Sequence, residues 1–174
     1  MGAHNGTLES KKFRPKDGKT DSQMFLETMS EEGIIPTLES TDYWDAWAVS
    51  IYQKDSGRVY LARNRRRPLA IAICKMSGVM FWASEHLMLH MIMARNNIDV
   101  DVYILEPHIL YQFDVDKVRK NSQFWMQTEL KKPKVPEEKF MSYGAYSLVS
   151  AKTSAEVFES ALFDDVKLDD KIPF

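Results

Sequence analysis

Between residues 45 and 84 short apolar runs alternate with turn sequences, and this spacing limits the chain to folds built on an antiparallel meander. Ala46, Trp47, Ala48, Val49, Ile51 and Tyr52 make the first run, closed by the turn signal Asp55-Ser56-Gly57. Arg58 to Ala62 is the second, broken by Asn64 to Pro68. Leu69 to Cys74 is almost continuously apolar, the pattern of a strand covered on both faces. Ser77-Gly78 turns the chain into a fourth run, Val79 to Ala83. Val100 to Leu105 and Ile109 to Phe113 form a further strand pair joined through Glu106-Pro107-His108.

Helices flank the meander. Thr20 followed three residues later by Gln23 fits a capping box, so a helix is expected over about 21–32, stopped by Gly33. Ser84 caps a second helix that runs to about Arg95 and ends at Asn96-Asn97. Leu87, Met91 and Ala94 share one of its faces, with Met88 and Ile92 beside them. Residues 1–20, taken alone, read as loop. Beyond Asp114 the pattern weakens: 131–138 reads as a linker, a short helix is expected near 153–162, and an acidic tail follows. The expected class is α+β with mainly antiparallel sheets, divided into a core over 1–114 and an extension over 115–174.

Composition narrows the function classes. The 174 residues are 44% apolar, enough for a core without disulfides or metal. A formal net charge of −2 gives no general electrostatic case for nucleic acid or an anionic membrane. Cys74 is the single cysteine, no apolar run nears the roughly 18 residues of a membrane span, and Met1 to Lys12 lack a signal-peptide core. These features predict a cytoplasmic protein.

Four segments then occur in a fixed order. They are His4-Asn5-Gly6-Thr7, Thr20-Asp21-Ser22-Gln23, Leu61-Ala62-Arg63-Asn64 with Arg67-Pro68-Leu69, and Phe81-Trp82-Ala83-Ser84-Glu85. In this order they resemble the glutaminase domain of the class II glutamine amidotransferases, over roughly residues 3–114. The resemblance implies the αββα four-layer sandwich of N-terminal-nucleophile hydrolases and hydrolysis of the glutamine side-chain amide to glutamate and ammonia. It implies no cofactor and no metal. The family's nucleophile is an N-terminal cysteine whose own α-amine acts as base. The tetrahedral oxyanion that follows needs fixed donors. By this match Asn5 supplies a side-chain N–H and Gly6 a backbone N–H to the oxyanion, while Gly6 and Asp21 bind substrate, Asp21 at its α-amino group. Gln23 stands where the family usually has Glu, and Ser10 where many members have Asn.

The family's Met-Cys-Gly start and its arginine-bearing, carboxylate-clamping segment have no counterpart in these residues. Cys74 lies inside a strand without a free α-amine and cannot replace the nucleophile. The chain by itself is therefore expected to lack glutaminase activity, with a separate protein as ammonia acceptor. A degenerate amidotransferase-fold protein that binds without catalysis is the alternative. Strands lost with the missing segment would leave a bare sheet edge. The chain is then expected to dimerise, to bind a completing chain, or to cover the gap with its own 115–174 region, through Trp125 or Phe140–Tyr146.

Other residues are read more plainly. Arg63, Arg65, Arg66 and Arg67 are expected in a solvated turn, with no aromatic cluster nearby to stack bases. Met88, Met91 and Met93 are expected in a core, and Cys74 as a buried small hydrophobe. His86 and His90 have a metal-like i, i+4 spacing but no evident third ligand.

Overall fold

A computed structural model describes residues 1–74, 76–118 and 125–135. All belong to the first of the two units into which the chain divides, Met1–Met141. The expected 153–162 helix, the acidic tail and Phe140–Tyr146 lie outside the described residues.

Two antiparallel sheets organise this unit. The first holds β1 (Gly2–Thr7), β2 (Ala46–Gln53), β3 (Arg58–Arg63), β7 (Ile109–Asp114) and β8 (Trp125–Glu129), in that spatial order. The second holds β5 (Met80–Ala83), β4 (Ala70–Cys74) and β6 (Val100–Ile104). The expected meander is present, divided between the two sheets after β3. Residues 2–7, read as loop from the sequence, form β1. Its composition is poor in strand formers, and it is extended because it pairs along its length with β2, from Gly2↔Ile51 to Thr7↔Ala46. β8 lies beyond residue 114 and pairs with β7, and Leu130 after it is buried in the core, so the sheet reaches into the expected extension. Trp125 sits in β8, at the edge of the sheet opposite β1.

Helix α1 (Asp21–Glu32) has the expected bounds and cap. Thr20 Oγ1 accepts from the Gln23 backbone N–H at 3.2 Å, and Gln23 Oε1 accepts from the Thr20 N–H at 2.8 Å. Gly33, at φ 97, ends the helix and leads into α2 (Ile34–Glu39), which the sequence reading does not contain. Pro36 sits in the first turn of α2, where its missing N–H leaves no bond unmade. Register places His4, Val49, Ala62 and Leu110 on one face of the first sheet. Trp47, Val49, Tyr60, Ala62 and Leu110 pack there with Phe25, Met29 and Leu38 of the two helices.

The second sheet has its own helix, α3 (His86–Arg95). Leu89 and Met93 pack on Ala70 and Ala72, bordered by Phe81 and Val102. The two main helices each cover a different sheet. The stripe Leu87, Met88, Met91 and Ile92 is exposed, and of the three methionines expected in a core only Met93 is buried. On the faces away from these helices, Leu61, Tyr111 and Phe113 of the first sheet and Ile71 of the second are almost wholly buried. Among the described residues no helix is long and apolar enough to cross a membrane.

Candidate functional site

The His4-Asn5-Gly6-Thr7 segment lies on β1, at an edge of the first sheet. Hydrogen bonding between β1 and β2 follows the antiparallel alternation. Met1 and Tyr52 exchange both backbone bonds, at 3.0 and 2.7 Å. Counting along the register, Ala3, Asn5 and Thr7 bond to β2, while the N–H and C=O groups of Gly2, His4 and Gly6 point to the open edge. Trp47, opposite Gly6, turns its own backbone groups the other way, to Asn64. The Gly6 N–H therefore has no acceptor among the described residues.

Gly6 has φ 155, and a Cβ on it would fall far inside contact distance of the Ala46 carbonyl oxygen and close to His4 Nε2. Only glycine fits, because the β2 backbone occupies the space a side chain needs. The neighbouring Asp21 opens α1. Its Oδ2 accepts from the Leu8 N–H at 3.0 Å and its Oδ1 from the Ser22 N–H at 2.7 Å. Leu8 is two residues from Gly6, about 7 Å of extended chain. The Gly6 N–H and the Asp21 carboxylate are thus within about 10 Å of each other. Asp21 keeps spare acceptor capacity on Oδ2. Asn5 adjoins Gly6 in the chain, but strand alternation turns its side chain to the face opposite His4, beside Ala48, where it is exposed.

His4 ties the two motifs from the other side. Its Nδ1 lies 2.8 Å from Ser22 Oγ and its ring meets Phe25 edge-on at 5.3 Å. Its Nε2 is buried and faces the Ala46 backbone. Burial holds its pKa below the ordinary 6.5, against the opposing pull of Asp21. A neutral imidazole is the result at neutral pH.

Sequence reading missed the residues that fix the loop after β1. Asp45 is fully buried; its Oδ1 accepts from Glu9 and Ser10 N–H groups at 2.6 and 2.9 Å and its Oδ2 from Asp42 N–H at 2.7 Å. Asn64, also buried, donates to the Asp45 carbonyl at 2.6 Å and accepts from Trp47 and Arg66 N–H groups. Nothing local in the sequence marks a carboxylate that caps a loop 35 residues away. Asn64 does stand inside one of the four motif segments.

The basic run is solvated only in part: Arg65 and Arg66 are exposed in a turn, as expected, while Arg63 and Arg67 are half-buried. Arg63 is half-buried and donates to the carbonyls of Leu105, Asn64 and Arg67, clamping the end of β3. Arg66 lies over both Tyr43 and Trp44, at 5.6 and 5.1 Å from their centroids, so an aromatic pair does stand beside the run. Cys74 is half-buried rather than buried; hydrogen bonds from Ser77 and Met76 lower its pKa from 9.0. Among the described residues no group of His, Cys, Asp or Glu is placed to hold a metal, His86 and His90 included. A recess of about 880 Å³ opens between α1, α2 and the first sheet, lined by Leu26, Ile34, Pro36, Ile51 and Leu110. Asn5, Gly6 and Asp21 are not in its lining. No family model matches the chain, and no curated protein matches it in sequence.

Proposed function

We infer that this chain is a class II glutaminase-type domain that binds glutamine and, with no cysteine nucleophile among these residues, does not hydrolyse it by itself. One observation carries the reading: an unengaged Gly6 N–H at a sheet edge, with the Asp21 carboxylate within about 10 Å of it. An edge N–H on a residue that tolerates no side chain is a fixed oxyanion donor. A carboxylate with spare acceptor capacity suits an α-ammonium group. Asn5 is the second donor in this reading, reaching the oxyanion from the other face of β1. The two sheets, each with a helix on one face and buried side chains on the other, support an αββα stack as the fold.

The cysteine nucleophile of such a domain is not among these residues, since Cys74 lies at the end of β4 without a free α-amine. Glutamine is therefore bound by the chain and not turned over. Titration of ¹⁵N-labelled protein with L-glutamine tests this. Amide shifts are expected at Gly6, Leu8 and Ser22, and none in Asp21→Ala. Shifts that are absent, or that persist in the variant, would refute the site; glutamate release by the purified chain would refute the assignment of the nucleophile.

A further inference from the structure

Helix α3 is apolar on the side it buries and on the side it exposes. Leu89 and Met93 face the second sheet at 3% and 4% exposure, while Leu87, Met88, Met91 and Ile92 are 62%, 49%, 73% and 48% exposed. A helix apolar all round is ordinarily enclosed on every side. We propose that this outer stripe is the contact of a homodimer, with α3 packed antiparallel on α3 of a second copy across a two-fold axis near Met91. This proposal does not depend on the glutaminase reading.

The occupant follows from how the stripe is built. Leu87 with Met91 and Met88 with Ile92 are i, i+4 pairs, two parallel ridges that interdigitate with an identical set. No acidic or basic side chain apart from the two histidines interrupts the helix between its ends. At the ends the charges are opposite: Glu85 at the N-cap and Arg95 in the last turn. Both are exposed, and neither forms an ion pair among the described residues. Arg95 lies one turn beyond Met91 on the same stripe. In the antiparallel pair Arg95 of each copy lies over Leu87 of the other and reaches its Glu85, and the symmetry makes the contact twice. A parallel pair would set Arg95 against Arg95. Charge complementarity thus selects a second copy in one orientation, and methionine-rich ridges adapt to the fit.

Sedimentation velocity on the full chain over a concentration series is the test. A species of twice 20.2 kDa is expected, with Met91→Glu monomeric and its far-UV circular dichroism unchanged. Glu85→Arg and Arg95→Glu should each raise the dimer Kd roughly tenfold, through two lost ion pairs, and the double exchange should restore it. Peroxide oxidation followed by mass spectrometry reads the same contact in the wild-type chain. Met91 should be protected as concentration rises, while Met76, 93% exposed and off the helix, should not. A wild-type monomer overturns the proposal, including one whose Met91 is protected at every concentration because the chain covers itself. So does a dimer that survives Met91→Glu, or one indifferent to both charge reversals.

Discussion

Gly6 and Asp45 do different work for the same few residues. Gly6 leaves room for the β2 backbone, so Gly6→Ala forces the strands apart and is expected to destabilise by at least about 2 kcal/mol. Asp45 satisfies three backbone N–H groups in a buried place. Asp45→Ala strands those donors at an expected loss of about 3 kcal/mol. Urea unfolding midpoints measure both. The first residue is legible in the sequence, because an Asn-Gly pair inside a recognisable motif draws the eye. The second is not, because its partners are set by tertiary structure. Cys74 makes a chemical prediction. Its hydrogen bonds favour the thiolate, so alkylation near pH 8 should be faster than in the unfolded chain, and Ser77→Ala should slow it.

At the scale of elements, α1 is written in its own sequence. The Thr20–Gln23 box and the Gly33 stop are local chemistry, and they give both ends of the helix correctly. Thr20→Ala removes the acceptor for the Gln23 N–H and should lower stability by about 1 kcal/mol, read as a shift of the thermal midpoint. The end of α3 at Arg95 is equally legible; its start and its buried face are not. The N-cap is Glu85 instead of the expected Ser84, and no side chain caps the helix. With leucine, isoleucine and methionine on all sides, periodicity cannot choose between Leu89–Met93 and Leu87–Met91. β1 and β8 are hidden for the opposite reason. Gly-Ala-His-Asn-Gly-Thr and Trp-Met-Gln-Thr-Glu are edge strands with little apolar alternation, and the ladder from their neighbours extends them.

For the whole molecule, two histidines tie stability to pH. His4 and His108 are both held below the ordinary 6.5, chiefly by burial. The unfolded chain therefore takes up protons at these sites more readily than the folded one as pH falls below 6.5. Their contribution is fully present above that value and is lost as pH drops through the folded pKa. The thermal midpoint should be flat from neutral pH down to about 6.5 and then fall, and His4→Gln should flatten part of the decline.

The open edge of β1 carries a consequence for hydrogen exchange. Amides at Ala3, Asn5 and Thr7 are locked to β2, while those at Gly2, His4 and Gly6 face outward. Deuterium should enter this strand in a comb, every second amide slow and those between them fast. An extended segment that adds to this edge would slow the fast teeth one by one. If it reached Gly6 it would occupy the very N–H that an oxyanion needs. Strand addition and amide chemistry thus compete for a single proton, and the exchange rate at Gly6 reports which one holds it.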